Sequence, residues 1–183
     1  MSVVEPTTDG TGATVAALDA ATLSSFVEAH YPRLIRLAAL VCDDATDAQD
    51  AVQSGLERAW RKRSTLRDQD RLPTWLDRIV VRESIRVSRT RRSWTSRLFS
   101  SVREIEVDIV DLRDSNRPGD EWLDLRTAFA RLTADQRAAV AIHLYCGYSV
   151  AETADLVGVP VETVRSRLRV ARERLRSGLG EAH

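Results

Sequence analysis

The long apolar patterns of this chain step by three and four residues. Steps of three and four place side chains on one stripe of a 3.6-residue helix, so every regular element is expected to be helical. The clearest case is 159–176, "VPVETVRSRLRVARERLR". Val161, Val164, Leu168, Ala171 and Leu175 form its stripe, and Glu162, Thr163, Arg165, Ser166, Arg167 and Arg169 face outward. Upstream, Ser149-Val150-Ala151-Glu152 reads as a capping box, in which hydroxyl and carboxylate satisfy each other's backbone amides. The helix it opens sends Val150, Thr153, Ala154 and Val157 toward a partner. It ends at Gly158-Val159-Pro160, where glycine permits a left-handed cap and proline stops propagation. Helix, short glycine turn and helix make a helix-turn-helix layout.

On spacing alone this is equally an ordinary helical hairpin with a solvated basic face. Charge placement favours nucleic acid: 161–176 holds six arginines against two glutamates, and a face of one sign suits phosphate neutralisation. Arg165, Ser166 and Arg169, near the helix start, stand where base edges are read in a major groove.

The net charge of the 183 residues is zero, but its distribution is uneven. Residues 1–60 hold nine acids against three bases, and 61–98 twelve bases against four acids. Residues 99–135 hold nine acids against five bases, and the remainder seven bases against five acids. Two basic blocks separated by an acidic segment predict two nucleic-acid-facing surfaces.

Residues 1–21 read as a disordered tail. Thr22 is expected to cap a helix whose core face is Leu23, Phe26, Val27, Leu34, Leu37 and Leu40, with Pro32 marking a bend or a break. A second helix runs from Asp43 or Asp44 to Arg63, with Ala48, Val52, Leu56, Ala59 and Trp60 as its stripe and Asp47, Gln49, Asp50, Gln53 and Glu57 outside. Pro73 and Thr74 open a third, with Trp75, Leu76, Ile79, Val80 and Ile85 inward. Arg78, Arg82, Arg86, Arg89, Arg91 and Arg92 are largely outward and form the second basic face. Periodicity lapses from Ser93 to Gly119, as expected of a linker. Helix resumes over 121–132, and Thr133-Ala134-Asp135-Gln136 is a second capping box opening a helix to Tyr145 that Gly147 ends.

Cys42 and Cys146 are far apart in sequence, which predicts neither a disulfide framework nor a zinc site. His143 and Cys146 offer at most two metal ligands with no further pair, so no metal and no cofactor are expected. No apolar run approaches the ~20 residues of a membrane span, and no signal segment is evident. With no phosphate loop or nucleophile motif and only scattered histidines (His30, His143, His183), the sequence gives no indication of an enzyme or a small-molecule substrate.

Three stretches together resemble a known family: "DAQDAVQSGLERAW" (47–60), "PTWLDRIVVRESIR" (73–86) and "LTADQRAAVAIHLYCGYSVAETADLVGVPVETVRSRLRVARERL" (132–175). They are similar to regions 2 and 4 of bacterial sigma factors, in the two-domain form of the extracytoplasmic function (ECF) group of the sigma-70 family. The resemblance implies an all-α chain of two small helical domains: region 2 over 22–94, an acidic flexible linker over 95–120 and region 4 over 121–178. It implies a cytoplasmic promoter-recognition factor with RNA polymerase core (β′ coiled coil and β flap), promoter DNA and an anti-sigma protein as partners. Carried over by position, core binding falls on Asp47, Gln49, Asp50, Gln53 and Glu57. Binding and melting of the −10 element fall on Arg78, Arg82, Glu83, Arg86 and Arg89, and reading of the −35 element on Glu162, Thr163, Arg165, Ser166, Arg167 and Arg169. Gln49 stands where the family usually has glutamate, and Arg82 where asparagine is common. The rivals are a stand-alone helix-turn-helix regulator, which binds duplex DNA unaided, and a bundle that binds only proteins.

Overall fold

A computed structural model describes residues 18–98 and 127–180, with side chains described through 91 in the first stretch and through 177 in the second. Residues 1–17 of the expected tail, 99–120 of the expected linker and 121–126 of the helix expected after it lie outside the described residues. So does the side chain of Arg92.

The first helix, α1 (Ala20–Ala39), begins earlier than Thr22 because Asp19 is its cap. Asp19 Oδ1 accepts from the Thr22 amide at 2.7 Å and Oδ2 from the Thr22 hydroxyl at 3.0 Å. These two bonds hold the carboxyl below its ordinary value. Leu18 is buried with Leu23, Leu66 and Leu72, so the fold takes in the last residues of what reads as tail. Pro32 does not break α1. Both Pro32 and Glu28, whose carbonyl loses its amide partner, lie on the exposed side, while Leu34 and Leu37 on the other side are fully buried.

Asp44 caps α2 (Ala45–Lys62) by accepting from the Asp47 amide at 2.8 Å. Ala48, Ala51, Val52, Gly55 and Ala59 are its buried face. This small-residue face lets α3 (Leu72–Leu98) come close: a Cβ at Gly55 would stand 3.4 Å from the Val80 backbone. Trp60 departs from the expected stripe. One step past Ala59 carries it off the buried face, and it stays 45 % exposed with the Arg63 guanidinium 4.7 Å from its ring. Leu76, Ile79, Val80, Val81 and Ile85 of α3 are buried, with Trp75 half-buried against them.

The second unit opens with a helical turn over 127–130. Then α4 (Ala134–Val140) starts on the expected capping box, with both Thr133–Gln136 bonds formed. The expected run of α-helix to Tyr145 is not continuous. Ala141–Tyr145 widens to a π-helical turn, and Cys146 donates its amide to Ala141 O at 3.0 Å. Gly147 follows at φ 78°, and His143 Nδ1 meets Tyr148 O at 2.7 Å, closing the loop. Ser149 and Glu152 form the second capping box at α5 (Val150–Val157), and Gly158 takes the left-handed cap at φ 77°. The last helix is α6 (Val161–Gly180).

The units pack on each other. Leu37, Val41, Val81 and Ile85 of the first share one apolar cluster with Ala138, Ala141, Ile142 and Leu156 of the second. Beside it Arg137, 2 % exposed, donates to Val41 O at 2.9 Å and to Asp43 at 2.7 Å. Asp77, 1 % exposed, accepts from both Arg33, at 2.6 and 2.8 Å, and the Tyr148 hydroxyl, at 3.0 Å. Burial pushes the Asp77 carboxyl above its ordinary value, and Arg33 and Tyr148 offset part of that rise.

Candidate nucleic-acid interface

On α6 the apolar stripe forms as the spacing dictates. Val164 and Ala171 are fully buried, and Val161, Leu168 and Leu175 are half-buried. The opposite face holds Glu162, Arg165, Ser166 and Arg169 exposed, with Thr163 half-buried. Arg165 pairs with Glu162 and Arg169 with Glu173 at 2.9 Å, both on their own helix and both in water. Exposed pairs of this kind are worth about 0.3–0.5 kcal/mol, so phosphate or guanine displaces them readily. Arg167 behaves differently. Its side chain is 20 % exposed and turns back to Asp135 at 2.9 Å. Arg174 likewise reaches Gln136 Oε1 at 3.0 Å.

The second basic face lies on α3, and contacts from other elements hold most of its arginines. Arg82 donates to the carbonyls of Leu156 at 3.0 Å and Asp155 at 3.4 Å, groups left without helical partners where α5 ends. Arg89 forks onto Asp135, with Nη2 at 2.7 and 2.8 Å from the two carboxylate oxygens. Arg91 pairs with Asp44 and Asp47. Arg78 is half-buried. Glu83 lies beneath this face, not on it. Only 2 % exposed, its two oxygens hold Arg58 at 2.9 Å and Arg86 at 2.6 Å, which brings an arginine of α2 next to one of α3.

The outer face of α2 presents Gln49, Asp50, Gln53 and Glu57 to solvent, with Glu57 4.0 Å from Arg61. Asp47, expected on that face, is turned inward at 6 % exposure, where Oδ1 accepts from Arg91 Nη1 at 2.6 Å. Burial raises its carboxyl pKa, and the Arg91 bond opposes that. The physical reason is the basic helix alongside: a carboxylate one turn into α2 can neutralise an arginine of α3 only by leaving the water face.

Sequence reasoning missed Asp43, Arg58, Asp77, Asp135 and Arg137 as partners in this region. Nothing local marks them, because each acts on a residue of another element. Cys42, buried with its thiol pushed up to about 12, and Cys146, pushed up to about 11, have the chemistry of small core side chains, since desolvation dominates both. Among the described residues no group of histidines, cysteines and acids is placed to hold a metal ion, and no helix is long and apolar enough to cross a membrane.

Two family models match the chain: Sigma-70 region 2 over residues 26–95 and Sigma-70, region 4 over 122–175. The first span takes in most of α1, all of α2 and most of α3, and the second takes in α4, α5 and most of α6. The ECF RNA polymerase sigma factor SigM of Mycobacterium tuberculosis is 34% identical over 152 residues, covering 82% of this chain and 74% of that protein. SigL of the same organism is 29% identical over 167 residues, covering 91% of this chain and 93% of SigL. Among solved structures, the sigma factor RpoE of Bartonella quintana, in complex with the anti-sigma factor NepR, superposes with a TM-score of 0.69 at 26% identity. That match covers 86% of this chain and 96% of RpoE. CnrH, solved with the cytosolic domain of CnrY, shares the fold at a TM-score of 0.61 and 24% identity, over 92% of this chain and 94% of CnrH. The two basic helices thus sit in regions 2 and 4 of one recognised architecture: this chain belongs to the ECF group of the sigma-70 family, whose function is promoter-directed initiation of transcription with RNA polymerase.

Proposed function

We propose that the two basic helices divide promoter recognition between them, α6 reading the −35 element and α3 holding the −10 element. The observation that carries this is exposed Ser166 beside the exposed, locally paired Arg165 and Arg169, on a helix whose opposite stripe is buried. A bidentate arginine to guanine contributes ~1–3 kcal/mol of discrimination, and the packed stripe keeps the helix oriented for it. Glu162, Thr163 and Arg167 complete the −35 face, with Arg167 available once it leaves Asp135. On the −10 side Arg78, Arg82, Arg86 and Arg89 hold the strand, and Glu83 acts through Arg58 and Arg86 without touching DNA. An opened strand needs such a cationic groove to offset the cost of unstacking.

Gln49, Asp50, Gln53 and Glu57 form the face for the β′ coiled coil of polymerase core. Asp47 supports that face from within by tying α2 to Arg91. The β flap docks on the second unit. Because Arg82 and Arg89 are engaged by that unit here, promoter binding requires the two units to part. An anti-sigma protein is the natural regulator, as the partner of RpoE suggests, and the setting is the cytoplasm. The test is in vitro transcription with bacterial core polymerase on fragmented genomic DNA, mapping the 5′ ends of the transcripts. New starts sharing two spaced upstream motifs support the reading. No new starts, with unaided duplex binding, point instead to a stand-alone regulator.

A further inference from the structure

One carboxylate lies between the two basic helices. Asp135, at the start of α4, has a side chain that is 22% exposed. From α3 it receives Arg89, Nη2 to both oxygens at 2.7 and 2.8 Å and Nε to Oδ2 at 3.2 Å. From α6 it receives Arg167 Nη2 on Oδ1 at 2.9 Å. A carboxylate and a phosphate offer an arginine fork the same pair of oxygens at nearly the same spacing. The contacts Asp135 makes with these two guanidinium groups are therefore the contacts DNA would make.

We infer that Asp135 is a built-in competitor for DNA phosphate, occupying one arginine of each DNA-facing helix until nucleic acid displaces it. This rests on the promoter reading of α3 and α6. The two arginines are held unequally. Arg89 is 61% exposed and belongs to the other unit, so it leaves Asp135 as soon as the units part. Arg167 is 20% exposed and shares a unit with Asp135, so it remains paired after opening and has to be won by DNA at the −35 face. Asp135 thus acts first as part of the closure between units and then as a brake on region 4 alone. The brake also favours correct sites, because only a well-placed phosphate or guanine replaces an ion pair already formed.

The experiment measures binding of a fluorescein-labelled promoter duplex to the full-length chain by anisotropy across a salt series. The proteins are wild type, Asp135→Asn, Asp135→Glu, the Arg89→Ala/Arg167→Ala double variant, and Asp135→Asn in that double-variant background. Transcription from the same promoter with core polymerase is measured in parallel. Asp135→Asn is expected to tighten binding about 2- to 5-fold, the range set by exposed ion pairs. It should also steepen the slope of log K against log salt by about 0.9 for each arginine released to phosphate. Asp135→Glu keeps the carboxylate and should match wild type, and the asparagine effect should vanish in the double-alanine background. Equal tightening in that background would mean a general loss of negative charge and would overturn the inference. So would unchanged binding by Asp135→Asn with transcription intact, or tightening by Asp135→Glu as great as by asparagine. Absence of promoter-specific transcription from every protein would overturn the promoter reading itself, and this inference with it.

Discussion

Helices α3 and α6 have similar composition and opposite circumstances. Both are long, arginine-rich and apolar along one side, yet the arginines of α3 are held mostly by other elements and the outward ones of α6 mostly by their own helix. Arg82 meets the end of α5, Arg89 meets Asp135 and Arg91 meets Asp44 and Asp47. Arg165 and Arg169 meet only Glu162 and Glu173. Charge on a helix therefore does not by itself define a binding surface. What defines it is how much must be broken to expose that charge: several tertiary contacts for α3, and exposed pairs worth a few tenths of a kcal/mol for α6.

The contrast can be broken most forcefully at Arg137, whose guanidinium bridges the units beneath α3. Arg137→Ala leaves Asp43 and the Val41 carbonyl short of a buried donor and should cost about 3–5 kcal/mol of stability, read by urea unfolding. A loss below 1 kcal/mol would mean that the contact between units contributes little and that α3 is as accessible as α6. Arg165→Ala should do the reverse. Stability should stay within about 0.5 kcal/mol, because its pair is exposed. Discrimination among −35 sequences should fall by ~1–3 kcal/mol, and unchanged footprints over that element would remove α6 from the groove.

Gly158 lies in the turn that joins α5 to α6. At φ 77° an alanine costs roughly 1–2 kcal/mol, and its Cβ would stand 2.7 Å from Arg82 Nη2. Because that atom ends a flexible side chain, Gly158→Ala should eject Arg82 from the end of α5 without unfolding the first unit. If chemical shifts of the Arg82 guanidinium do not move, the described contact is wrong. Ser149→Ala, a purely local loss, should destabilise α5 by about 1 kcal/mol. Hydrogen exchange should show this in α5 while leaving α3 unaffected.

The smallest expected effect concerns pH. Asp77, facing Arg33, Tyr148 and His30, has its folded-state pKa raised above the ordinary 3.8, chiefly by burial. Its contribution to stability is therefore fully present below 3.8 and is lost as pH rises through the higher folded value. The stability difference between wild type and Asp77→Asn should then shift in favour of wild type as pH falls from 7 toward 4. A difference that does not vary with pH would mean that Asp77 keeps an ordinary pKa and that burial does not govern it.

Much of the architecture is legible in the sequence because it rests on local rules. The two capping boxes, at Thr133 and Ser149, and the left-handed Gly158 formed as written, since each needs only neighbours three or four residues away. The α6 stripe followed from spacing for the same reason. Readings failed where a distant partner decided. Asp47 turned inward because Arg91 lies alongside, and Trp60 stayed outside because the small residues beside it already fill the contact with α3. Pro32 was tolerated because its face of α1 meets water, and the π-helical turn at 141–145 interrupts a segment whose periodicity alone predicts plain helix.

The sequence by itself determined that this chain is helical, where most of its helices begin and end, and that two of them are basic and amphipathic, because hydrogen-bond closure and helical period act over a few residues. Only the tertiary structure decided which arginines are held and which are open. That choice depends on carboxylates and carbonyls some 40 to 90 positions away in the chain, brought into reach by packing that no local pattern encodes.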